Sequence, residues 1–209
     1  MTSRLSPIPG RGCACAVFCV RGLMGVALIL GLAVSGCALQ PASPDRAPAV
    51  RIAATAFELE GRLSATDGER AANGRIHWQH SPSGDEWTVY SPLGQIIAHL
   101  VSTPAGAVLQ TGDGRRITAP DAGSMLPEVL GVSAPVEGLP HWVQASVRSG
   151  ASVLDLDDRG RPSRISDQGW LIDYPEYADP DPQAPPRRLE ARWGDTRIRL
   201  VIDQWTPLN

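Results

Sequence analysis

From residue 57 onward, apolar and polar positions alternate with a period of two over most of the chain. That spacing turns one face of a strand inward and leaves the other in water. Phe57, Leu59 and Leu63 alternate with Glu58, Glu60 and Arg62, then Ile76 and Trp78 with Arg75, His77 and Gln79, then Trp87 and Val89 with Glu86 and Thr88. Residues 95–102 are apolar on both faces, and shorter strands are predicted at 107–111 and 115–118. Asp67-Gly68, Asn73-Gly74, Ser83-Gly84 and Gly112-Asp113-Gly114 supply turn chemistry between them. The period then changes. Met125, Leu126, Val129 and Leu130 share one helical face, and Pro127 fits in the first turn of a helix that starts near Ser124. A second short helix is predicted from Pro140 through His141, Trp142 and Val143. Strands return at 153–156, 164–166, 170–174, 189–193 and 197–203. In the last three, Trp170, Ile172 and Tyr174, then Leu189, Ala191 and Trp193, then Ile198, Leu200 and Ile202 fall on one side. Residues 49–56 are predicted to be a short helix with Pro48 in its first turn, and the Pro-rich stretch from Pro175 to Pro186 a surface loop.

The order is therefore one helix, six strands, two short helices and five strands. The connections are short enough for an antiparallel meander. The simplest architecture is mainly β within the α+β class. It is a strongly curved antiparallel sheet with helices on its concave side.

Ahead of residue 49 the pattern is different. Arg4, Arg11 and Arg21, with no acid among them, precede the apolar run from Leu23 to Val34. This is the layout of a secretory signal, and the run falls short of the roughly 20 apolar residues of a membrane span. Val34-Ser35-Gly36-Cys37 then resembles the bacterial lipobox, in which small residues let a signal peptidase cut before a cysteine whose thiol carries diacylglycerol. The division follows: 1–36 a removed signal, 37–48 a lipidated tether containing Pro41, Pro44 and Pro48, and 49–209 one domain. Cys13, Cys15 and Cys19 lie in the removed part, so the mature chain keeps Cys37 alone, with no disulfide framework and no thiol for a metal. By the rule of enteric bacteria, Ala38 in place of an aspartate points to the outer membrane.

Composition narrows the function. The 209 residues, 43% apolar and 20% charged, suffice for one domain and are too apolar for disorder throughout. Every basic residue is arginine, and the net charge is −3; loss of three arginines with the signal leaves 16 − 22 = −6. A nucleic-acid partner is excluded on that balance. No nucleophile elbow, phosphate loop or zinc-protease helix is present. His77 and His80 point to opposite faces, while His99 and His141 stand alone. Asp155 and Asp157 fall on the wet side of a strand, so no metal, catalytic site or cofactor is expected. The six tryptophans either fill the core or line a space left for an apolar ligand; alternation alone does not separate the two.

An ordered set of segments now adds to this reading: Phe57-Glu-Leu-Glu-Gly-Arg-Leu63, the Trp78 strand, Ser91-Pro92-Leu93-Gly94, Leu130-Gly131, Pro135-Val136 to Leu139-x-x-Trp142, Gly169-Trp170 to Tyr174, and Arg197 to Trp205. Together, after a lipobox, they resemble the LolB family, outer-membrane receptors for lipoproteins. The resemblance implies an incomplete, strongly curved antiparallel β-barrel of about eleven strands with a lid of short helices over an apolar cavity, in an anchored, periplasm-facing monomer that accepts acylated lipoproteins from the carrier LolA. It would insert them into the outer membrane without catalysis or cofactor, with affinities ordered carrier, receptor, membrane. It also implies that Pro92, Leu93 and Gly94 form a protruding loop whose leucine enters the membrane. The hollow is expected to match or exceed the usual pocket range of about 300–1,000 Å³. Candidates for its wall are Ile76, Trp78, Trp87, Val89, Ile96, Leu100, Met125, Trp142, Trp170, Ile172 and Leu200. Trp142→Ala is expected to weaken acyl uptake without unfolding. The alternatives are an anchored carrier of another amphiphile and a structural accessory lipoprotein with a filled core.

Overall fold

The computed structural model describes Ala49 and residues 51–208; the expected signal, Cys37 and the tether lie outside the described residues. Eleven strands form one antiparallel sheet: β1 (Phe57–Thr66), β2 (Ala71–Ser81), β3 (Gly84–Tyr90), β4 (Ile96–Thr103), β5 (Gly106–Thr111), β6 (Arg116–Ala119), β7 (Ser152–Leu156), β8 (Pro162–Asp167), β9 (Trp170–Tyr177), β10 (Pro186–Trp193) and β11 (Thr196–Pro207). Their order is β6-β5-β4-β3-β2-β1-β11-β10-β9-β8-β7. The first and last strands meet in the middle, with Leu63 opposite Leu200 and Leu59 opposite Trp205. The edge strands β6 and β7 do not pair, so the barrel stays open. The chain between those edges carries α1 (Leu126–Leu130) and α2 (Leu139–Trp142), each entered through a 3-10 turn, at Gly123–Met125 and Val136–Gly138. Pro127 and Pro140 occupy first-turn positions, where their missing N–H leaves no helical bond unmade. The inward rows of the strands and the apolar faces of both helices share one core.

The antiparallel order sorts the turns into two rims. Turns 67–70, 91–95, 112–115, 168–169 and 194–195 lie at one end of the strands, and turns 82–83, 104–105, 157–161 and 178–185 at the other. The described start of the chain lies at the second rim, where the Ala49 N–H donates to the Gly160 carbonyl (2.9 Å). Glycine is required where β1 bulges against β11 between Glu60 and Gly61. A Cβ on Gly61 would lie 2.5 Å from the Val201 carbonyl oxygen. Gly61→Ala is expected to lower the unfolding free energy by about 2 kcal/mol, read from the urea midpoint; an unchanged midpoint would contradict the close approach.

Two elements depart from the sequence expectation. Residues 51–56 are not helical. Ile52 is exposed, so a helix here would bury no apolar stripe, and long-range polar contacts hold the segment instead. Arg51 donates to the carbonyls of Gln144, Pro182 and Ala184, and the Gln144 side chain receives the Ala54 N–H at 2.7 Å. The Pro-rich loop is also shorter than expected, because β9 runs on to Tyr177 and β10 begins at Pro186. Arg51 and Arg161 stack on the Tyr177 ring at 5.4 and 4.0 Å, and Arg161 donates to the Asp179 carbonyl. These cations fasten the start of the domain to the loop.

An apolar hollow beneath a helical lid

Between sheet and lid lies a hollow whose wall is wholly apolar. Leu59, Leu63, Ile76, Trp78, Trp87, Leu189, Ala191, Ile198 and Leu200 come from the sheet, and Leu126, Val129, Leu130, Leu139, Trp142 and Val143 from the lid. Strand alternation places the first group and the i, i+3, i+4 spacing of α1 places Leu126, Val129 and Leu130. Trp78 and Trp87 face one another across β2 and β3 with ring centres 5.7 Å apart, and Phe57 meets the edge of Trp78 at 5.0 Å. The Trp78 N–H leaves the apolar face to donate to Asp85 Oδ1 (2.8 Å), which also partners His80 Nδ1.

Of the residues predicted for the wall, Ile76, Trp78, Trp87, Trp142 and Leu200 line it. Val89, Leu100, Met125, Trp170 and Ile172 are buried in the packed layer around it. Ile96 does neither. It is 54% exposed at the start of β4, where the register slips between Val89 and Tyr90 and the inward–outward alternation breaks. Sequence reasoning placed Leu189, Ala191 and Ile198 on the correct face and Leu126, Val129 and Leu130 on the correct helical side without assigning them to the hollow. Leu139 and Val143 carried no such signal.

The hollow is small, about 50 Å³, room for only a few water molecules. The expected range of several hundred Å³ is not reached, because the Trp142 indole and the α1 leucines occupy the space. The two lid helices are held differently. Trp142 donates to Asp167 Oδ2 (2.8 Å), its ring lies against Gly138, and Gln144 donates to the carbonyls of Ala54 and Pro140. Among the described residues, α1 makes no side-chain hydrogen bond to the sheet and rests on Leu126, Val129 and Leu130. Asp167 also takes the Nε–H of Arg148 at 2.8 Å. Burial raises its pKa, but the bonds from Arg148 and Trp142 outweigh that and hold the carboxyl below its ordinary 3.8. Burial and the neighbouring Arg148 lower the pKa of His141.

Outside the wall, Leu93 stands 89% exposed at the tip of the β3–β4 turn. That turn is fixed by bonds from Ser91 N–H to the Gln95 carbonyl and from Gly94 N–H to the Ser91 carbonyl, with Gly94 at φ +83°. On the outer face, one ligand atom each from Glu58, Glu60 and His77 lie within 4.8 Å of one another, and Glu58 bonds His77 Nε2 at 2.7 Å. This grouping is formed across β1 and β2, so no local motif signalled it. His99 pairs with Glu86, and His141 with Ser146. No helix among the described residues is long and apolar enough to cross a membrane.

The class of protein is thus an open antiparallel barrel with an apolar interior beneath a two-helix lid. The profile of the family described as outer membrane lipoprotein LolB matches residues 55–205. The outer-membrane lipoprotein LolB of Azoarcus sp. (strain BH72) is 49% identical over 88% of this chain and 95% of its own length. Its counterpart in Thiobacillus denitrificans is 36% identical over 87% and 96%. The chain belongs to the LolB family and is an outer-membrane lipoprotein. A LolA superfamily protein from Nitrosomonas europaea superposes with a TM-score of 0.44 at 8% identity, covering 77% of this chain and 89% of that one.

Proposed function

We propose that this protein receives acylated lipoproteins from the periplasmic carrier LolA and releases them into the outer membrane, to which Cys37 anchors it. The observation that carries the reading is the apolar wall beneath a lid helix whose buried side chains, Leu126, Val129 and Leu130, are all apolar. Each acyl methylene left in water costs about 0.8 kcal/mol, so three chains require tens of kcal/mol of shelter. A space of about 50 Å³ holds none of them. The resting state is therefore closed, and α1 moves aside for cargo while α2 stays fastened. No catalysis is needed: differential affinity sets the direction from carrier to receptor to membrane. Leu93 is the residue that enters the bilayer during release. The domain responsible is 49–209, after removal of 1–36, with 37–48 as tether.

The small size of the hollow also favours a second reading, an accessory lipoprotein with a filled core. Mixing the anchored mature protein with a LolA–lipoprotein complex separates them. Cargo is expected to move to the receptor; cargo that stays with LolA overturns the proposal and leaves the accessory role. Leu93→Ser should leave this acceptance unchanged but slow delivery to vesicles about 10- to 100-fold, the equivalent of one buried leucine at about 1.5–3 kcal/mol. Delivery at the wild-type rate would remove Leu93 from the mechanism.

A further inference from the structure

Large apolar side chains are not exposed evenly. Of nine among the described residues, five, Leu93, Ile96, Ile97, Leu171 and Trp193, stand at the rim formed by turns 91–95, 168–169 and 194–195. Trp193 is the largest. It continues the inward row of Leu189 and Ala191 on β10 but lies past the covered part of the sheet and is 56% exposed. Its ring stacks on Trp170 (6.2 Å, 25°), which in turn packs on Trp142 of the hollow (5.4 Å). At the next turn Gly169, with φ +84°, leaves its missing Cβ position 3.5 Å from the Trp193 indole nitrogen. The ring is thus held in place with one face toward solvent.

We propose that Trp193 is a second membrane contact, seated at the interface of a phospholipid leaflet, and that the rim bearing it and Leu93 faces the membrane holding the protein's own anchor. This rests on the reading of Leu93 given above. An indole pairs a large apolar ring with one N–H, the composition suited to the boundary between acyl chains and headgroups. Four strand steps separate β3 from β10, about 19 Å along the sheet at roughly 4.8 Å per step, so the two contacts define a line along this rim. The covalent geometry agrees. Cys37 precedes Ala49 by 12 residues, a length of chain that can span about 37 Å at roughly 3.1 Å per residue. The ten residues of β1 rise about 33 Å, less when tilted. An anchor attached at the far rim can therefore reach the plane of the Leu93 rim.

The test uses the lipidated mature protein in phosphatidylethanolamine–phosphatidylglycerol vesicles, with and without brominated acyl chains. In the wild type and Trp205→Phe, bromolipid is expected to quench a component of tryptophan emission that Trp193→Phe lacks. Because Cys37 is acylated, Leu93→Cys or Ile52→Cys carries a single environment-sensitive fluorophore, expected to enter lipid at 93 and to stay in water at 52. Trp193→Ser should slow cargo delivery to vesicles at least fivefold while acceptance from LolA stays within twofold. Lipid contact at 93 without quenching of Trp193 overturns this proposal and leaves the delivery reading standing. Contact at neither residue overturns both, and a probe at 52 that enters lipid as readily as one at 93 overturns the orientation.

Discussion

Replacing Trp142 with alanine is expected to lower the unfolding free energy by about 3–5 kcal/mol, the usual range for removing a large aromatic from a core. This reverses the expectation from sequence that the variant stays folded and only loses ligand uptake. The indole is 2% exposed, packs on Trp170, and lies so close to Gly138 that a Cβ there would be 2.9 Å from the ring. Its N–H is one of two donors to a buried carboxylate. Removing the ring leaves a cavity and an under-bonded Asp167 together. Trp142→Phe keeps an aromatic ring but loses the N–H and part of the indole's volume, so it should fall short of the alanine variant, at about 1–3 kcal/mol. Urea unfolding checks both, and an alanine variant within 1 kcal/mol of wild type would show that Trp142 is a mobile cover after all. The consequence for the lid is direct: α2 is part of the folded frame, so motion that admits cargo is assigned to α1.

The strands were readable because nearly every one has one face on a single core, so alternation survives in the sequence even where spans differ by a residue or two. The lid helices were readable from the apolar face of 125–130 and from two prolines that fit only a first turn. What was not readable depends on partners far along the chain. The central pairing of β1 with β11 joins residues more than a hundred positions apart, and alternation is blind to it. Residues 49–56 looked helical locally, but Arg51 and Ala54 take their bonds from Gln144 and the 178–185 loop. Ile96 failed for a narrower reason: a one-residue register slip inverts which side chains face inward. The size of the hollow was equally beyond reach, because alternation tells which side chains point inward and nothing of how fully they fill the space.

Asp167→Asn is expected to destabilise the domain by about 3 kcal/mol at neutral pH, the lower part of the range for breaking a buried pair, and by less in acid. The carboxylate is 2% exposed, accepts from Trp142 and Arg148, and leaves its Oδ1 and the Arg148 Nη2 buried without a hydrogen-bond partner among the described residues. Asparagine still accepts one bond but gives Arg148 no charge to face. The pH dependence follows from the depressed pKa of Asp167 in the fold. Stability contributed by a carboxylate shifted downward is fully present above its unfolded value, near 3.8, and is lost as pH falls through the lower folded value. The side chain of the variant does not titrate. The gap between wild type and Asp167→Asn, measured by urea unfolding, should therefore be widest from pH 5 upward and narrow below pH 4. A gap of the same size at pH 3 and pH 6 would mean that shape, and not charge, makes Asp167 necessary. The same measurement bears on the lid, since Asp167 joins β8 to both the tryptophan of α2 and the segment after it. Loosening that joint should shift ligand uptake only when the whole domain loosens.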